Sequence, residues 1–116
     1  MFNLDYQSRI PIYEQIINEV ERYVALGILK PKEQIPSIRD LASQLGINPN
    51  TVRKAYSEME SRGIIITIST KGTFISEETG MIIKNKIDKS IEDINKIINE
   101  LEKLGLTKAE ILKKIK

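Results

Sequence analysis

Ser37-Ile38-Arg39-Asp40-Leu41-Ala42-Ser43-Gln44-Leu45-Gly46-Ile47-Asn48-Pro49-Asn50-Thr51-Val52-Arg53 holds two helix starts separated by one stop. Ser37 is an N-cap residue with Asp40 in capping-box position, and Ile38, Leu41, Ala42 and Leu45 follow at the spacing of one helical face. Gly46 ends that helix. Asn48 caps again, and Pro49 suits a first helical position, where a missing N–H leaves nothing unpaired. The helix it opens, expected over 49–62, carries Val52, Ala55, Tyr56 and Met59 on one side and Asn50, Arg53, Lys54 and Ser57 on the other. Two helices crossing at a tight turn need a small residue at the crossing, a glycine in the turn and a branched apolar residue as a lock. Ala42, Gly46 and Val52 supply the three.

Upstream, Pro11 opens another helix with Tyr13, Ile16, Ile17, Val20 and Val24 on one face, and Gly27 stops it. Residues 28–36, with Pro31 and Pro36, show no period and read as a link. Downstream of Gly63, the β-branched run Ile64-Ile65-Ile66-Thr67-Ile68 has strand length. Ser69-Thr70-Lys71-Gly72 is turn-like, and Thr73-Phe74-Ile75-Ser76 reads as the returning strand, so 64–76 forms a wing. The expected fold is mainly α with a small β-hairpin wing: an N-terminal winged helix-turn-helix domain over 1–76 and a short C-terminal α-helical region over 77–116.

In that C-terminal region Ile87, Ile91, Ile94, Ile98 and Leu101 are spaced 4, 3, 4 and 3 residues apart, the period of a coiled-coil seam. Ile83, Ile97 and Leu104 widen the stripe. Gly105 ends the helix, and Thr107 with Glu110 forms a capping box for a last short helix bearing Ile111, Leu112 and Ile115. An isoleucine stripe of this length needs cover, either from its own domain or from a second copy. A two-fold pair is the commonest solution, so a homodimer is expected.

Composition narrows the chemistry. The 116 residues include no Cys and no His, which removes disulfides, thiolate nucleophiles, the usual zinc ligands and the commonest general base. No cofactor is expected. Adjacent acids such as Glu77-Glu78 and Glu92-Asp93 diverge by about 100° on a helix and do not converge on a substrate; a small carboxylate enzyme is therefore disfavoured. No apolar run approaches the roughly 20 residues of a membrane span and no leader is visible, so a cytoplasmic protein is expected, with no membrane partner. Net charge is +2, divided almost evenly: 9 basic and 8 acidic residues before position 77, and 9 and 8 from there on. Only local placement of charge can indicate a partner.

That placement points to duplex DNA. The second helix of a helix-turn-helix offers its N-terminal residues to base edges in the major groove, and here these are Asn48, Asn50, Thr51 and Arg53. Arg can bond guanine bidentately and Asn can do the same to adenine. Arg39 can reach the same groove or a phosphate, and Lys71 with Gly72 at the wing tip suits the backbone or the minor groove. The competing explanation is a three-helix domain whose polar face is only solvated, and the wing favours DNA over it.

From Pro11 to Ser76 the chain resembles the N-terminal domain of the GntR family of bacterial transcription regulators. The resemblance lies in Pro11-Ile12-Tyr13-Glu14-Gln15-Ile16, Gly27-Ile28-Leu29-Lys30-Pro31, Ile35-Pro36-Ser37-Ile38-Arg39-Asp40-Leu41-Ala42, Asn48-Pro49-Asn50-Thr51-Val52 and Lys71-Gly72-Thr73-Phe74-Ile75. The Asn-Pro-Asn-Thr-Val form and the short tail are similar to the YtrA subfamily, whose tail is a helical dimerisation unit and whose genes often lie beside those of ABC transporters. The resemblance implies a DNA-binding regulator, a repressor in preference to an activator, acting as a homodimer on a two-fold symmetric operator. It implies DNA contacts from Arg39, Asn48, Asn50, Thr51, Arg53, Lys71 and Gly72, to which Lys54 and Thr73 are added as neighbours. Two positions depart from the family pattern: Lys32 and Thr70 stand where glycines are usual. A small effector could bind between tail helices, although no convergent polar cluster marks a pocket. The alternative function is a winged-helix protein-interaction module without DNA binding, against which Arg53-Lys54 argues.

Overall fold

A computed structural model describes residues 2–116 and divides them into two compact units, the first running through Ile83 and the second from Lys84 to Lys116. In the first unit α1 (Ile12–Ala25), α2 (Ile38–Leu45) and α3 (Pro49–Ser61) form where the capping residues and apolar periods place them. Ser37 Oγ accepts from the Asp40 N–H at 3.1 Å, which secures the start of α2. Gly46 closes the helix at φ +67°, and the Ile47 N–H reaches back to the Ala42 carbonyl at 3.0 Å. That six-to-one bond is the Schellman turn that swings the chain from α2 into α3.

Ile16, Ile17 and Val20 of α1 pack with Leu41 and Ala42 of α2 and with Val52, Ala55 and Met59 of α3, all buried. Each large aliphatic among them contributes roughly 1.5–3 kcal/mol by leaving water. Tyr56 completes this face and donates its hydroxyl to the Pro36 carbonyl at 2.6 Å.

The sheet has three strands, not two. β1 (Gln34–Ile35) pairs antiparallel with β3 (Gly72–Ile75), which pairs in turn with β2 (Ile65–Ile68), giving the order β1-β3-β2. The expected unpatterned link over 28–36 therefore contains a strand. A two-residue strand between two prolines is too short to show a period, and its partner lies about forty residues away in the sequence, with Ile35 opposite Thr73. Gln34 uses its side chain as well: Nε2 donates to the Lys71 carbonyl at 3.2 Å, tying the wing tip to the edge strand.

α4 (Thr79–Lys103) begins inside the first unit. Ser76 Oγ donates to the Gly63 carbonyl, Thr79 Oγ1 donates to the Ile64 carbonyl, and the two hydroxyls lie 2.6 Å apart. Both residues are fully buried. Ile83 is buried too, so it belongs with this unit and does not extend the tail stripe. The division thus falls within α4, later than the expected boundary at 76/77.

The second unit holds the rest of α4 and α5 (Lys108–Lys114), which opens on a complete capping box: Thr107 accepts from the Glu110 N–H while Glu110 accepts from the Thr107 N–H. Ile111 is buried, but Leu112 and Ile115 are exposed, so the three do not share one covered face. No described helix is long and apolar enough to cross a membrane.

Candidate nucleic-acid interface

Burial sorts the two sides of α3 without ambiguity. Val52, Ala55, Tyr56 and Met59 face the core, while Asn50, Arg53, Lys54 and Ser57 are exposed. Exposure follows from the helical period alone: residues three and four apart share a face. At the start of α3, Asn48 Oδ1 accepts from the Asn50 N–H at 2.8 Å. No acid lies in the first turn, so the positive end of the helix dipole is left open to an anion.

Three of the exposed side chains are held. Asn50 Oδ1 accepts from Arg53 Nη1 at 2.5 Å. Lys54 Nζ stands 4.1 Å from the centre of the Tyr13 ring, a cation–π contact that draws Lys54 toward α1. Tyr13 was expected only as part of the core face of α1; it is half-buried, and its ring also serves this lysine. At the other end of α3, Arg62 pairs with Glu58 at 3.2 Å.

Of the nine residues expected at the interface, Arg39, Asn48, Asn50, Arg53, Lys54 and Lys71 are exposed, and Thr51 and Gly72 are half-buried. Thr73 is different. It is 9% exposed, with its backbone paired to Ile35 and Thr67, so its side chain is part of the sheet and not of the open face. The wing tip is built on unusual backbone: Thr70 has φ +67° and Gly72 φ +125°. A Cβ at Gly72 would stand 2.5 Å from Gln34 Nε2, the atom that holds the Lys71 carbonyl. Gln34 was not singled out from sequence, since nothing in its local pattern signals a bond across the sheet.

Along the second unit, Ile87, Ile91 and Ile94 are 49%, 52% and 49% exposed, and Ile98 and Leu101 are half-buried. The seam is therefore largely uncovered within its own unit.

Comparison with known proteins agrees with this arrangement. Residues 12–75 match the model of the bacterial regulatory proteins, gntR family. The HTH-type transcriptional repressor YtrA of Bacillus subtilis is 43% identical, over 90% of this chain and 86% of that protein. A transcriptional regulator from Oenococcus oeni, solved by crystallography, superimposes with a TM-score of 0.76 at 36% identity, covering 95% of this chain and 92% of that one. The crystal structure of AraR(DBD) in complex with operator ORE1 matches at a TM-score of 0.55 and 28% identity, over 66% of this chain and 93% of the other. A winged helix-turn-helix with an exposed, acid-free α3 start, matched over most of its length by such regulators, identifies this chain as a DNA-binding transcriptional regulator and not an enzyme; it belongs to the gntR family of bacterial regulatory proteins.

Proposed function

We propose that this regulator is a cytoplasmic repressor that binds a two-fold symmetric operator as a homodimer. The exposed first turns of α3 carry the reading: Asn48, Asn50 and Arg53 lie on the face that enters the major groove, while Arg39, Thr51 and Lys71 hold phosphates. Lys54, drawn toward Tyr13, lies beside this face, and Gly72 lets the wing backbone approach the duplex closely. The uncovered Ile87, Ile91 and Ile94 supply the surface for the second copy. A symmetric pair would set two α3 helices about 34 Å apart, one duplex turn. Repression is supported by the similarity to YtrA of Bacillus subtilis, named as a repressor. Control of ABC-transporter genes rests on the resemblance to that subfamily alone.

Selection of bound duplexes from a random pool, followed by sedimentation of the recovered complex, tests this reading. The expected result is an inverted repeat with half-site centres about one helical turn apart and two chains per duplex. A single asymmetric site bound by one chain would contradict it. Failure to shift the anisotropy of any labelled duplex at low salt would instead favour a protein-interaction module.

A further inference from the structure

At the start of α3 the two asparagines have their acceptors turned toward the protein. Asn48 Oδ1 caps the helix through the Asn50 N–H at 2.8 Å, and Asn50 Oδ1 receives Arg53 Nη1 at 2.5 Å. An asparagine reads adenine with both ends of its amide, accepting from N6–H with oxygen and donating to N7 with nitrogen. In both side chains the oxygen half of that pair is already engaged within the protein. Arg53 is in the opposite position. Its guanidinium carries five N–H donors, and one bond to Asn50 leaves an unspent edge on an exposed residue. Anchoring one nitrogen fixes the plane of the fork and removes part of the rotamer entropy that a free arginine would lose on docking.

We infer that Asn50 is a positioning residue for Arg53, and that the first turns of α3 select guanine through Arg53 instead of adenine through either asparagine. A fork of donors matches the O6 and N7 acceptors of guanine, whereas adenine presents N6 as a donor, which arginine cannot accept. Asn48 acts as a helix cap. This rests on the DNA-binding reading above and adds the base that the site prefers and the residue that sets up the preference.

The test uses the full chain and the duplex recovered by selection, with binding followed by anisotropy. In each half-site, guanines are replaced one at a time by 7-deazaguanine, which keeps Watson–Crick pairing and loses N7. One such position is expected to weaken the wild-type chain by about tenfold, near the low end of a bidentate contact. Arg53→Ala should bind both duplexes equally. Asn50→Ala should reduce the guanine preference to under about threefold while its melting temperature stays at the wild-type value. A threefold residue corresponds to a lost share of one bidentate contact. Asn50→Asp, which still accepts from Arg53, should bind all duplexes less tightly but keep the ratio between them. Full preference in Asn50→Ala would overturn the positioning role. A half-site whose only sensitive base is an adenine that responds to Asn50→Ala would overturn the guanine assignment. Either result would leave operator binding itself intact, whereas absence of binding to any duplex would remove the regulator reading and this inference together.

Discussion

Lys32 and Thr70 adopt φ +69° and +67°, a region in which a residue bearing a Cβ is strained by roughly 1–2 kcal/mol. These are the two positions at which the family pattern has glycine. The fold keeps the left-handed turn at both and tolerates the strain. Thr70→Gly is therefore expected to raise stability by about 0.5–1 kcal/mol once the added chain entropy of glycine is subtracted; a lowered melting temperature would contradict this. Gly46 shows the reverse case. A Cβ there meets nothing within 4 Å, so Gly46→Ala should cost only the backbone strain, about 1–2 kcal/mol in denaturant unfolding. Tyr56 links stability to pH. Burial pushes its phenol above the usual value near 10, which means the folded chain holds that proton more tightly than the unfolded one. Its contribution is complete at neutral pH and declines as pH rises through and beyond the usual value. Tyr56→Phe should lose about 1 kcal/mol at pH 7, from the bond to the Pro36 carbonyl, and should flatten the alkaline decline in a series of thermal melts.

Elements announced by a local cause could be read from the chain. Ser37, Asn48 and Thr107 each cap a helix in the structure through the side chain expected to do so, because a cap needs only its own next three residues. The outward face of α3 was legible for the same reason, since helical period alone separates Arg53 from Val52. What escaped is non-local. β1 exists only because β3 returns beside it, and Thr73 is buried only because that pairing forms. The hydroxyl pair Ser76 and Thr79 is likewise invisible locally, although it bonds the carbonyls that close α3 and begin β2 to the first turn of α4. Thr79→Val keeps the shape and deletes the donor, leaving the buried Ile64 carbonyl with the Ser76 N–H alone. A loss of about 0.5–1.5 kcal/mol is expected in chemical denaturation, and wild-type stability would show that the pair carries no weight. The side-chain bond between Asn50 and Arg53 was also beyond the sequence, which ranks residue types but not which atoms they spend on one another.

Over the molecule as a whole, near-neutral charge is compatible with local cationic groups. Net charge is +2, yet Arg39, Arg53, Lys54 and Lys71 are each exposed and the α3 start is free of acids. Binding through phosphates should then lose affinity linearly in the logarithm of salt concentration, with a slope set by the few contacts made. Lys71→Ala should lower that slope by about one per chain while weakening all sequences alike. Charged replacements at Ile94 and Ile98 should give monomers by sedimentation and shallow the salt dependence, because half the contacts are lost per complex. If the outward face of α3 enters the duplex, amide chemical-shift mapping of the 116-residue chain on titration with its selected duplex should show the largest changes in residues 48–57 and 70–72, with the buried side of α3 little altered. Changes confined to residues 84–116, with the start of α3 unmoved, would rule it out.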